Sequence, residues 1–205
     1  MKESSDHTSI SEWINSIENG QIRSLSRAIT LLESTRTEDT HRAGNLLKES
    51  LARLSATERA PTIRIGISGP PGVGKSSYIE SLGMHLLSLG HRVCVLAIDP
   101  SSQLSGGSIL GDKTRMKRLS TQPNTFIRPS PSQQILGGVT HATQSIMSLC
   151  ELAGYSIILI ETVGIGQSEG AVADMVDCFV LLNQPGSGDE LQGIKRGVLE
   201  FADVL

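Results

Sequence analysis

Apolar positions recur at helical spacing through the first part of the chain, then give way from Thr62 to short apolar runs alternating with amphipathic stretches. Ile22, Leu25, Ile29 and Leu32 form one such series. Leu46, Leu47, Leu51 and Leu54 form a second, beyond the polar stretch from Ser34 to Arg42. Residues spaced in this way line one side of a helix. Residues 1–60 are therefore expected to form a helical arm without strands, its stripes packed on each other or on the following domain. A partner-docking face is the competing role.

Beyond the arm the period changes. Ile63 to Ser68 reads as a strand, followed by a glycine-rich turn and a helix through Ile79, Leu82, Leu86 and Leu87 that Gly90 closes. Arg92 to Ile98 reads as the next strand, then a Gly/Ser loop from Asp99 to Gly111 and a short basic helix from Thr114 to Leu119. Thr125 to Arg128 is a candidate strand, and Gly137 and Gly154 bracket a helix. Tyr155 to Ile160 is apolar on both faces, as a central parallel strand must be. A strand from Val176 to Leu182 and a helix from Leu191 to Phe201 follow, and a further strand begins at Asp203. Strands and helices in alternation predict an α/β fold with a doubly wound, mostly parallel sheet and right-handed crossovers. The expected organisation is an arm over 1–60 and one α/β domain over 61–205.

Composition narrows the partners. The length of 205 residues suits one such domain with an extension, and aromatics at 3% leave the core to Leu, Ile, Val and Ala. A net charge of −3 offers no broad cationic surface, so nucleic acid is not an expected partner. The amino terminus is polar and no apolar run reaches membrane-spanning length, so neither a signal peptide nor a membrane is expected. Cys94, Cys150 and Cys178 lie far apart among apolar neighbours and read as buried free thiols, which fits a reducing cytoplasm.

The chemistry concentrates in Gly69-Pro70-Pro71-Gly72-Val73-Gly74-Lys75-Ser76, a full match to the phosphate-binding P-loop between a strand and a helix. Gly69, Gly72 and Gly74 let the backbone curl so that the N–H groups from Val73 to Ser77 face an anion. In this reading Lys75 reaches the β- and γ-phosphates and the Ser76 hydroxyl ligates Mg²⁺. Asp99 and Glu161 end strands beside that loop, where a phosphate-bound Mg²⁺ takes one or two carboxylates; a turn or helix cap is the alternative for each. Glu161-Thr162-Val163-Gly164 has the spacing of a γ-phosphate sensor, an acid near the metal followed by a glycine N–H. Asp112, after the long Gly/Ser loop, is a metal ligand or the N-cap of the next helix. Gln167 is a weak candidate for orienting water, and Gln184 to Glu190 is a second glycine-rich loop. No histidines pair at ligand spacing.

GPPGVGKS, LAIDPSS, GGSILGDKTRM, FIRPSPS, LGGV, ILIETVGIGQSE and GSGDELQGIKRG, in this order, resemble the cobalamin-associated GTPases called MeaB or ArgK proteins. The resemblance runs from the arm to the last residue. It implies a Mg²⁺-dependent, GTP-hydrolysing chaperone that binds GTP and GDP and gates loading of an adenosylcobalamin-dependent acyl-CoA mutase, typically methylmalonyl-CoA mutase. It also implies a cobalamin adenosyltransferase as a further partner and a homodimer. Carried over by position, Lys75 and Ser76 belong to the P-loop, Asp99 and Asp112 to a first switch, and Glu161 and Gly164 to a second. Gln184 to Lys195 matches a third switch that faces the mutase. Family members continue into an Asn-Lys-x-Asp string that reads guanine and then a dimerisation segment, both expected to be missing here; guanine specificity is therefore implied only by resemblance.

Other readings remain open on the residues alone. One is an ATPase or kinase associated with lysine/arginine/ornithine transport, an older description of the same family; it needs an acceptor base, and none stands out beyond the metal acids. Another is a truncated, inactive interaction module. A nickel metallochaperone of related fold would need a Cys/His cluster, which is absent. Hydrolysis by the chain alone is expected to be slow, because no clear cis arginine finger stands out and Arg115 is no more than a candidate.

Overall fold

The computed structural model describes residues 9–99, 116–131, 136–162, 169–184 and 196–205. The chain divides into two compact units, residues 1–60 with 145–154, and 61–144 with 155–205.

The first unit is helical. Helices α1 (Ile10–Glu18), α2 (Ile22–Leu32) and α3 (Thr37–Ala56) form from the amino-terminal sequence. The sequence reading missed α1 because its surroundings are polar. Its signal was the capping box: Glu12 N–H donates to Ser9 Oγ at 3.2 Å while Ser9 N–H donates to Glu12 Oε2 at 3.0 Å. Those bonds also hold the Glu12 carboxyl below its ordinary pKa. Trp13, Ile14 and Ile17 form the buried face of α1, and Trp13 Nε1 donates to Ser24 O at 3.0 Å. The stripes read from spacing are too wide. Ile22 and Leu51 are exposed, and α2 buries Leu25, Ala28 and Ile29 while α3 buries Leu46 and Ser50.

The second unit is built on five parallel strands: β1 (Ile63–Ser68), β2 (Val93–Asp99), β3 (Thr125–Pro131), β4 (Ile157–Thr162) and β5 (Cys178–Leu181). Their order is β3-β2-β4-β1-β5. β4 lies in the middle, and all six of its residues are buried. Between or after the strands run α4 (Lys75–Ser88), α5 (Lys117–Ser120), α6 (Leu136–Leu152), whose residues from Ser145 onward belong to the first unit, α7 (Glu169–Ala173) and α8 (Arg196–Leu199). Ile67, Val95 and Leu159 project from one sheet face into a cluster with Ile79 of α4, Leu119 of α5 and Met116 just before it. On the opposite face the site of Gly66 lies against Phe179 of β5 and Val172 of α7.

Several boundaries differ from those expected. β3 continues through Pro129 and Pro131, and an edge position explains why: a proline without an N–H is tolerated where one side of the strand is unpaired. β5 begins only at Cys178, because the Asp177 backbone N–H donates to Arg64 O and its carboxylate accepts from Arg64 N. Among the described residues the short basic helix begins at Lys117, and α8 ends at Leu199 rather than Phe201, while Thr114, Arg115 and Leu191 to Lys195 lie outside them. The strand expected at Asp203 is present as one parallel bridge, Val180 to Val204. Cys94 and Cys150 are buried free thiols, whereas Cys178 is partly exposed. No helix among the described residues is long and apolar enough to cross a membrane.

Candidate nucleotide site

Parallel strands place all their carboxyl ends on one side of the sheet, and the loops leaving those ends form the ligand crevice. β1 opens into Gly69 to Gly74, and α4 begins at Lys75. Gly69 and Gly74 are needed here for separate reasons. A Cβ on Gly69 would lie 2.4 Å from Leu182 O, and Gly74 caps α4 in the left-handed region at φ 100°. No side chain caps α4, so its first N–H groups and its positive end are left to face an anion.

Lys75 is buried and Nζ donates to Gly69 O at 2.7 Å and Pro70 O at 3.1 Å. Burial pushes the pKa of this ammonium down, and the carboxylates of Glu161 and Glu169 act in the opposite sense. Two of its three donors are thus engaged by the loop itself, and a phosphate must exchange with those carbonyls.

Glu161, buried near the end of β4, accepts the Ser76 hydroxyl on Oε1 at 2.9 Å. The P-loop serine and the strand-end acid, 85 positions apart, therefore meet. A hydroxyl beside a carboxylate is a hard oxygen pair of the kind Mg²⁺ takes when phosphates supply other ligands. Among the described residues no three His, Cys, Asp or Glu side chains cluster to cage a metal.

Asp99 closes β2 on the strand adjacent to β4, one residue beyond the Ile98 to Thr162 register pair. Gly72, Val73 and Ser77 fall on the loop and the first turn of α4, and Ser77 is exposed. Asp112, Arg115, Gly164, Gln167 and Pro185 to Lys195 lie outside the described residues.

Sequence reasoning passed over three residues that the fold brings to this crevice and a fourth, Glu80, on the helix that leaves it. Glu169 is buried at the start of α7 and acts electrostatically on Lys75; it sat inside the quoted ILIETVGIGQSE string without a role. Ser68 and Thr162 are polar residues ending otherwise apolar strands, and Thr162 Oγ1 donates to Ser68 Oγ at 2.8 Å. Glu80, one turn beyond Ser76, accepts the Arg118 backbone N–H at 2.7 Å.

A five-stranded parallel sheet carrying a P-loop lysine, serine and strand-end acid in this geometry defines a P-loop nucleotide-binding domain. Its sequence matches the description "Methylmalonyl Co-A mutase-associated GTPase MeaB" over residues 25–205, and the chain belongs to that family. It is 54% identical over its whole length to a protein named a probable GTPase in Mycobacterium tuberculosis, of which it covers 60%. It is 57% identical over 191 residues to the mitochondrial methylmalonic aciduria type A homolog of Mus musculus, covering 91% of this chain and 46% of that one. The GTPase ArgK of Escherichia coli is 44% identical over 200 residues, 98% of this chain and 59% of that protein. Among solved structures, one described as an LAO/AO transport system kinase superposes with a TM-score of 0.74 at 35% identity, covering all of this chain and 56% of that one. The chain thus spans between 46% and 60% of the length of these relatives.

Proposed function

We propose that this chain is the nucleotide-handling part of a GTPase that hydrolyses GTP with Mg²⁺ and serves as chaperone to an adenosylcobalamin-dependent acyl-CoA mutase. The observation that carries the reading is the 2.9 Å contact between Ser76 and Glu161 beside a P-loop lysine, in a chain of the MeaB family. Ser76, Glu161, Asp99 and Asp112 are the residues that would hold Mg²⁺, and the ion would supply charge neutralisation for phosphoryl transfer to water. Lys75 turns from the Gly69 and Pro70 carbonyls to the phosphates, and the backbone from Gly69 to Ser77 cradles them. Gly164 is assigned to sensing the γ-phosphate, and the loop from Gln184 to Lys195 to the mutase. Methylmalonyl-CoA mutase is the mutase we favour, since the family description names it and the mouse relative is named for methylmalonic aciduria. Buried free thiols at Cys94 and Cys150 suit work in the cytoplasm.

Titration with fluorescent GTP and GDP, with and without Mg²⁺, tests the binding. Lys75→Ala is expected to weaken GTP about tenfold to a hundredfold, the worth of a lost charge-assisted bond. Single-turnover hydrolysis with and without methylmalonyl-CoA mutase tests the rest. Hydrolysis indifferent to Mg²⁺ and to the mutase overturns the proposal. The name of the related solved structure favours one competitor, a kinase, and transfer of labelled γ-phosphate to an acceptor other than water decides for it.

A further inference from the structure

Ser68 stands where three functional segments diverge. Its peptide continues into the P-loop, its carbonyl accepts the Leu182 N–H at 2.8 Å just before the second glycine-rich loop, and its Oγ accepts the Thr162 hydroxyl. Thr162 is in turn the last residue of β4, adjacent to Glu161 and between the two residues, Glu161 and Gly164, matched to the second switch. Both side chains are fully buried and 94 positions apart in sequence.

Strand alternation sets the geometry. Ile67 and Glu161 are register partners on the face toward α4, where Glu161 meets Ser76. Ser68 and Thr162 come one residue later, so their side chains point to the opposite face. The ladder pairing ends here, at the mouth of the crevice, and a hydroxyl pair extends the pairing one residue further from behind. A serine and a threonine at the ends of buried apolar strands cost desolvation unless their hydroxyls meet, and here they do.

We propose that Ser68 and Thr162 are positioning residues that lock the end of β4 to the base of the P-loop, so that Glu161 keeps its reach to Ser76 and the metal side of a bound nucleotide. This rests on the GTPase reading of the site. Neither side chain touches nucleotide; each acts through the backbone that carries Glu161 or the P-loop.

The test is the Mg²⁺ concentration giving half-maximal GTP binding, measured on the intact chain for Thr162→Val, Ser68→Ala, the double variant and Thr162→Ser. Val keeps the shape and removes the donor, whereas Ser restores the donor. Loss of support behind a ligand typically costs at least about tenfold in metal affinity. The expected result is a rise of that order for Thr162→Val and Ser68→Ala, no further rise in the double variant, and a near-normal value for Thr162→Ser. GDP binding without Mg²⁺ should change little. A lowered melting temperature with an unchanged Mg²⁺ requirement overturns the proposal, as does additivity in the double variant. Failure of the unsubstituted chain to bind GTP at any Mg²⁺ concentration overturns the GTPase reading itself and this assignment with it.

Discussion

The Glu80 carboxylate of α4 accepts the Arg118 backbone N–H at 2.7 Å, and the Leu119 N–H lies 3.5 Å from the same oxygen. A four-residue helix cannot sustain itself, so α5 depends on such tertiary contacts. Glu80 supplies from a neighbouring helix the cap that α5 lacks in its own sequence. Glu80→Ala is expected to cost about 1 kcal/mol, the usual worth of a helix cap, while Glu80→Gln retains most of it because its amide oxygen still accepts. Urea denaturation of the three proteins checks this, and equal midpoints would remove the cap from the account.

Gly83 of α4 makes room for Leu119 of α5. A Cβ there would lie 2.8 and 3.0 Å from the two Leu119 methyl carbons, and Leu119 is fully buried. Gly83→Ala gains roughly 1 kcal/mol of helix propensity. It also overpacks a closed site, a cost of about 1–3 kcal/mol. The expected net effect is destabilisation, and Gly83→Ala combined with Leu119→Ala should lose less than the sum of the two single changes. Thermal unfolding of all four proteins reads the coupling; a strictly additive pair would show that the two residues do not share the space.

How much of this was legible in the sequence follows from the range of each interaction. The P-loop and its flanking strand and helix are local, and Gly69 to Ser76 announced them without ambiguity. Glu161 could be placed at a strand end because β4 is buried on both faces and so reads as an unbroken apolar run. Its contact with Ser76, and the hydroxyl pair behind it, needed the strand order, because they join residues 85 and 94 positions apart. Glu80 and Glu169 were missed because a single acid on a helix looks like solvated surface until its neighbour is known. The extension of β3 was hidden by Pro129, which excludes a central strand and is harmless at an edge. Leu51 fits a helical stripe yet is exposed, since spacing alone does not say where a buried face ends.

Glu18 holds the first unit together by receiving two arginines. Its Oε2 lies 3.0 Å from Arg53 and its Oε1 2.9 Å from Arg59, whose other guanidinium nitrogen donates to Leu152 O at 2.9 Å. Glu49 reaches the same Arg53 only at 3.7 Å from the next turn of α3. The shared carboxylate should outweigh the single pair. Glu18→Gln is expected to cost about 1 kcal/mol at low ionic strength and Glu49→Gln much less. Raising salt should narrow the difference, because these groups remain partly exposed and screened. Identical losses for the two variants would mean that the network contributes no more than an isolated pair.

Lys75 gives the site a pH dependence whose sign can be worked out. Burial lowers its pKa in the folded chain below the unfolded reference of 10.5, against the pull of Glu161 and Glu169. Between the folded and unfolded values the unfolded chain binds more protons, so the Lys75 contribution to stability rises with pH across that window. Lys75→Met removes the titration. The stability of Lys75→Met relative to the unsubstituted chain should therefore be greatest below the window and fall as pH approaches 10.5. A triphosphate acts in the opposite direction. Its charge favours the ammonium, so binding within the window must take up a proton and GTP affinity must decline as pH rises. Calorimetry in two buffers of different ionisation enthalpy measures that uptake directly. Proton release on binding, or a stability difference that grows toward high pH, would contradict the position of Lys75 in a desolvated loop.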